Sequence, residues 1–239
     1  MITFLTLGLI VGMAHALEAD HLAAVGTLAS GPAKSGRRLA WLGISWGLGH
    51  TTTLLLISLA VFLLGFALSA RVASGFEFAV GVMLVILGIG VLRKLRRNRV
   101  HFHLHTHDDG ARHFHAHSHR ATNRPHAQQT HEHAHAPLFS SRSYLVGLVH
   151  GVAGSAGLVA MAAAATQDIA TTLAYVVIFG LGSTLGMAVL TLAASWPLRR
   201  AELAAGRLFS GVQLALACGA MLIGALIMYE TGLTLWEAS

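Results

Sequence analysis

Six apolar runs alternate along the chain with polar links: Ile2–Ala29, Leu39–Ser69, Phe76–Leu92, Tyr144–Ala165, Thr171–Trp196 and Leu208–Tyr229. A helix needs roughly 20 such residues to cross a bilayer. The second run is long enough to tilt or to contain a break. One polar stretch, between the third and fourth runs, is much longer than the other links. The pattern predicts an all-α integral membrane protein with six transmembrane helices.

Composition agrees: 54% of the residues are hydrophobic, 11% are charged, and mean hydropathy is +0.64. Soluble domains carry about 25% charged residues. The single cysteine, Cys218, lies in the last run, so no disulfide framework exists within the chain and carriers that work through a cysteine pair are excluded. The pattern Ala14-His15-Ala16 resembles a cleavage site, but the first basic residue is Lys34. Without a positive n-region the opening run is expected to stay as a span.

Charge orients the spans. The links Ser30–Arg38, Arg93–Ser143 and Pro197–Arg207 hold fifteen of the sixteen Lys and Arg residues. By the positive-inside rule these links face the cytoplasm and both termini lie outside, in a bacterial-type inner membrane. The basic pI therefore records topology rather than a nucleic-acid partner, and the surrounding partner is the lipid bilayer. Whether the chain forms a homo-oligomer stays open.

The halves echo one another. Gly12-Met13-Ala14-His15 parallels Gly147-Leu148-Val149-His150, and Trp46-Gly47-Leu48-Gly49-His50-Thr51 parallels Phe179-Gly180-Leu181-Gly182-Ser183-Thr184. Three spans per half is odd, so the second copy enters the membrane from the opposite side, as in carriers with a site near the midplane. This predicts a 3+3 inverted-topology repeat: residues 1–92 form one three-helix unit carrying the candidate site, residues 93–143 a cytoplasmic loop, and residues 144–239 the second unit.

The loop is rich in His-x-His: His101, His103, His105, His107, His113, His115, His117, His119, His131, His133 and His135. Apolar residues are too sparse there for a core, so it is expected to be disordered without metal. Its composition points to divalent transition metals, with the loop a buffer, a load sensor or a dispensable linker.

Outside the loop the histidines are His15, His21, His50 and His150, all in or beside predicted spans, with Glu18 and Asp20 among them. Ionisable groups at membrane depth mark ion or proton paths. Imidazole with carboxylate suits Ni, Co, Zn or Cu(II), whereas Mg and Ca prefer oxygen alone. On a regular helix His15, Glu18 and His21 fall within an arc of roughly 120°, but Asp20 sits about 140° from His15. Either Asp20 orients a histidine ligand, or the backbone opens near Glu18 and Asp20. The second half has Ser155, Ala156 and Ser183 where the first has Asp20, His21 and His50, which concentrates the metal chemistry in the first half.

His15-Ala16-Leu17-Glu18-Ala19-Asp20-His21 resembles the HX4DH signature of the NiCoT nickel/cobalt transporters, and Leu48-Gly49-His50-Thr51 resembles that family's LGH motif. His150-Gly151-Val152-Ala153-Gly154-Ser155 is similar to the compact, UreH-like members. The resemblance implies a carrier, not an enzyme, with His15, Asp20, His21 and His50 on the metal path and no permanent cofactor. Ni2+ or Co2+ is then the transported substrate, and Asp20 favours the uptake branch over the related exporters. Efflux with the loop as collector, and a membrane metal sensor or store, are the competing readings. No Walker A pattern is present, so ATP hydrolysis through a P-loop is excluded, and His15-Ala16-Leu17-Glu18 does not supply the His-Glu-x-x-His of a metalloprotease.

Overall fold

A computed structural model describes residues 2–29, 36–64, 69–97, 101–106, 112–117, 138–153, 168–204 and 206–237. The helices among them are α1 (Ile2–His15), α2 (Ala19–Ala29), α3 (Gly36–Leu64), α4 (Ala70–Arg97), α5 (Ser141–Ala153), α6 (Ile169–Ala204) and α7 (Gly206–Glu237). Strands β1 (His101–Thr106) and β2 (Arg112–His117) form an antiparallel pair between α4 and α5.

Among the described residues four helices are long and apolar enough to cross a membrane: Gly36–Leu63, Ala70–Arg96, Ile169–Ala194 and Leu208–Trp236. The bent pair α1 and α2, meeting at 57°, makes a fifth span if counted as one. Of the expected fourth span only the part up to Ala153 is described, as α5, and residues 154–165 lie outside the described residues. Large apolar side chains such as Leu56, Leu63, Ile86, Leu181 and Leu222 stay exposed on the helices, as lipid-facing positions require.

Two expectations change. The link Pro197–Arg207 is helical up to Ala204, because the residues after Pro197 are mostly good helix formers; Arg200 lies 4.3 Å over the Trp196 ring. Within the loop expected to lack order, residues 101–106 and 112–117 pair as strands, in keeping with the two-residue period of their His-x-His pattern.

Hydroxyl side chains enter the apolar interior by donating back to their own helix. Ser45 donates to Trp41 O at 2.7 Å, Thr51 to Gly47 O at 2.8 Å, Ser58 to Leu54 O at 2.7 Å and Thr191 to Met187 O at 2.6 Å. Outside the spans, Ser140 and Asp168 accept from Ser143 N and Thr171 N and so cap α5 and α6.

Glycines set the helix crossings, since lipid offers no hydrophobic drive between helices and close backbone approach must supply the attraction. Helix α1 packs on α6 and α5 packs on α3. A Cβ at Gly12 would fall on Phe179 O, and one at Gly182 on Leu9 O. On the other side, a Cβ at Gly147 would fall on Trp46 O and one at Gly49 on Tyr144 O. Between α3 and α6, Gly47 faces Thr184 while Gly180 faces Thr51, whose hydroxyl donates to Gly180 O at 3.1 Å. Helices α4 and α7 meet at Gly81 and Gly224, each within 2.7 Å of the other's carbonyl oxygen once a Cβ is added. Short α2 lies against α7, with Gly26 on the Leu216 side chain. These crossings leave a polar pocket where α1, α2, α3 and α5 converge.

Candidate metal centre

The backbone opens where α1 hands over to α2. Leu17 N donates to Ala14 O at 2.9 Å and Glu18 N to His15 O at 3.1 Å, two tight turns that end α1; Leu22 N then donates to Glu18 O at 2.9 Å as α2 begins. The opening spans residues 16–18, two residues ahead of the expected Glu18–Asp20 and overlapping it at Glu18. It ends one helix at His15 and starts the next just ahead of Asp20 and His21, so residues that a regular helix would spread around its axis reach one pocket.

Four histidines gather there. His15 and His21 ring centroids are 4.5 Å apart, His21 and His150 4.0 Å, His15 and His50 5.3 Å, and His21 and His50 5.6 Å. His21, His50 and His150 are at most 2% exposed and His15 is 9% exposed. His50 arrives on α3 through the Gly49 and Gly147 approaches, and His150 arrives on α5 beside it.

Two carboxylates hold three of the rings. Glu18 Oε1 accepts from His15 Nδ1 at 2.7 Å. Asp20 Oδ1 accepts from His21 Nδ1 at 3.0 Å and from the His21 backbone N–H at 2.8 Å, while Asp20 Oδ2 accepts from His150 Nε2 at 2.9 Å. An ionised carboxylate only accepts, so each bonded ring nitrogen carries the proton and the other keeps its lone pair. The free lone pairs then sit on His15 Nε2, His21 Nε2 and His150 Nδ1. These atoms, both ring nitrogens of His50 and Trp46 Nε1 are buried without a hydrogen-bond partner among the described residues.

Each such orphan costs about 1–3 kcal/mol if nothing ever satisfies it. A concentration of them at one place calls for a partner such as a water or an ion. Two donor sets have ligand atoms mutually within 4.8 Å: His15 with His21 and His50, and Asp20 with His21 and His150. His21 belongs to both. Carboxylate-backed imidazoles of this kind are borderline-metal ligands in their preferred tautomer and orientation.

The fold thus brings together His15, Asp20, His21, His50 and His150. Glu18 does not join either set. Its side chain is 56% exposed at the rim, because the break at residues 16–18 replaces the regular helix face that would have aligned it with His15 and His21. Of the loop histidines, His101, His103, His105, His113, His115 and His117 lie on the two strands, whereas His107, His119, His131, His133 and His135 lie outside the described residues.

Sequence reasoning missed two neighbours. Trp46 is fully buried and stacks on His21 at 5.4 Å, and Phe179 lies 5.4 Å from His15. A signal existed for the first: Trp46 precedes His50 by one helical turn and shares its face.

No family model and no solved structure matches the chain. A curated relative, the urease accessory protein UreH of Bacillus sp. (strain TB-90), is 32% identical over 189 residues, which cover 78% of this chain and 74% of that protein. Buried His15 and His21 and their partners therefore sit in a chain that belongs to the UreH family.

Proposed function

We propose that the protein is a secondary-active carrier of Ni2+, and of Co2+ with the same donor set, moving the ion inward through the bundle. The observation that carries this reading is the convergence of four buried imidazoles from α1, α2, α3 and α5 on one pocket, three of them oriented by carboxylates. The chain is not an enzyme but a member of the family of the urease accessory protein UreH. That membership, and the HX4DH likeness, support nickel as the cargo.

The two overlapping donor sets support a path rather than a resting place. An ion enters past Glu18, sheds water onto His15, His21 and His50, and is handed to Asp20 and His150 while His21 stays bound. Each station offers few ligands, which keeps binding weak enough for release. Two positive charges falling through 100 mV, inside negative, gain about 4.6 kcal/mol. Potential alone then drives uptake without proton coupling.

The crossings support a 3+3 inverted repeat with six spans, and the placement of Lys and Arg supports the His-rich loop on the cytoplasmic side. Gly12 of the first half on Phe179 of the second corresponds to Gly147 of the second half on Trp46 of the first, and Gly182 on Leu9 to Gly49 on Tyr144. Ser183, at the position matching His50, donates to Gly12 O at 3.1 Å. The second half thus keeps the packing and replaces the ligand. Rocking of one half against the other about this axis gives alternating access.

Radiometal flux into liposomes of fixed orientation, with potential and pH gradient imposed separately, tests the reading. Single replacement of His15, Asp20 or His21 by Ala should abolish flux while the protein still inserts. Outward flux only would make the protein an exporter, and metal binding without flux would make it a sensor or store. Unchanged flux in all the replacements would remove the pocket from the path.

A further inference from the structure

One polar atom of the pocket cannot serve as a ligand. Trp46 Nε1 is buried without a hydrogen-bond partner among the described residues, in a side chain that is 0% exposed. An indole N–H only donates and has no lone pair to offer a cation. An arriving ion satisfies the orphaned imidazole nitrogens but not the indole. Buried tryptophan N–H groups ordinarily find an acceptor, so this one calls for an acceptor that comes with the ion.

The surroundings narrow the choice. The Trp46 ring stacks on His21 with centroids 5.4 Å and planes 30° apart, and lies 5.6 Å from His150. An indole N–H lies in its own ring plane. A near-parallel stack therefore runs it along the face of His21 rather than into the in-plane lone pair of that imidazole. Asp20 Oδ1 and Oδ2 already accept from His21 and His150. The rest of the wall is apolar, with Trp46 in one buried cluster with Ala24, Val146 and Met187. The close crossing of Gly147 on Trp46 O holds its backbone in place.

We propose that Trp46 is a positioning residue that keeps one water on the transported ion. Its N–H donates to the oxygen of a water bound to a divalent ion at Asp20, His21 and His150. That station supplies three protein ligands, and metal sites built from three side chains keep a water in the open position. The water oxygen gives one lone pair to the ion and has another for the indole. The cargo at this station is then an ion stripped of most of its hydration shell, with a single water retained. This deepens the reading of the pocket as an ion path and rests on it.

The test uses the full-length protein in detergent, with perchlorate as a non-coordinating anion. Trp46→Phe keeps an aromatic ring and removes the N–H. Benzothienylalanine in place of Trp46 puts sulfur where the N–H stood and keeps the size of the ring and its stack. Equilibrium dialysis gives Ni2+ affinity and the visible spectrum reports the coordination of bound Co2+. The component that His21→Ala removes is the pocket's. Both replacements should weaken that component about tenfold, and the Co2+ absorption should grow more intense as the coordination number falls by the lost water. An unchanged Co2+ spectrum in the benzothienylalanine protein, whatever its affinity, would overturn the proposal and leave Trp46 a packing residue. A wild-type spectrum that shifts when chloride replaces perchlorate would overturn it too, by putting an anion where the water is assigned. Binding that His21→Ala leaves intact would instead remove the pocket reading itself, an outcome scored without touching Trp46.

Discussion

Asp20 and His150 lie 130 residues apart in the chain and meet at 2.9 Å, the carboxylate Oδ2 accepting from the imidazole Nε2. The other oxygen of the same carboxylate takes His21 Nδ1. One side chain thus fixes the tautomer of two histidines that come from different halves of the sequence, and leaves a lone pair on each for an ion.

Asp20→Asn removes that control. The amide is the same size but presents N–H donors toward one of the imidazole N–H groups, so a ring must turn or change tautomer and lose its free lone pair. Ni2+ affinity is expected to fall about 10–100-fold in a protein that still purifies as wild type. Equilibrium dialysis checks this, and unchanged affinity would remove Asp20 from its orienting role.

Glu18 has a weaker hold on the same chemistry. It bonds one ring, His15, and its own side chain is 56% exposed, so water can replace it as acceptor. Glu18→Gln should therefore cost less than Asp20→Asn, roughly tenfold at most, in the same dialysis measurement. A larger loss than that of Asp20→Asn would make Glu18 a direct ligand.

Four long spans among the described residues were legible because lipid demands long apolar runs, and the break at residues 16–18 was foreshadowed by Asp20, which no regular helix could bring to the face of His15. The crossings were not legible. Hydropathy reports how apolar a helix is but not which helix it meets, and a lipid-facing Leu reads the same as a buried one. Gly12 and Gly147 signal a close approach without naming Phe179 or Trp46 as the partner. Trp46 escaped notice because a tryptophan in an apolar span reads as packing until its indole N–H proves to be buried without an acceptor. Ser183 is the reverse case: the missing ligand was visible in the repeat, and the hydrogen bond to Gly12 O that replaces it was not.

The glycine crossings predict sharp, position-specific losses of stability. Gly147→Ala and Gly12→Ala each press a methyl onto a carbonyl oxygen across the helix pair. Overpacking of this kind costs about 1–3 kcal/mol. Gly219→Ala is the control, since a Cβ there meets nothing within 4 Å, and helix propensity favours it by up to about 1 kcal/mol. Thermal midpoints in one detergent should order the control at or above wild type and the crossing variants below it. Wild-type stability in Gly147→Ala would mean that α3 and α5 do not meet so closely.

Trp46 offers an optical readout of the pocket. Its ring stacks on His21 at 5.4 Å and lies 5.6 Å from His150. A paramagnetic ion bound to His21 should quench indole emission from Trp46 far more than from Trp196 or Trp236, which are exposed at other places in the bundle. Titration with Ni2+ should quench wild type saturably, and Trp46→Phe should lose most of that response while keeping an aromatic ring against His21. An unchanged quench in the variant would locate the bound ion elsewhere.

Asp168 gives the pH dependence outside the membrane. The Thr171 hydroxyl donates to it at 2.6 Å and the Thr171 backbone N–H at 2.8 Å, and these bonds, the hydroxyl first, hold its carboxyl below the usual aspartate range. A carboxylate whose pKa is lowered by folding stabilises the folded form fully above its unfolded value, about 3.9, and loses that contribution as pH falls through the lowered folded value. Asp168→Ala removes the cap at the start of α6 and should lower the thermal midpoint at neutral pH. The gap to wild type should hold steady down to the ordinary carboxylate range and then close in more acidic buffer. A gap that widened with acid would mean the cap acts through some group other than the ionised carboxylate.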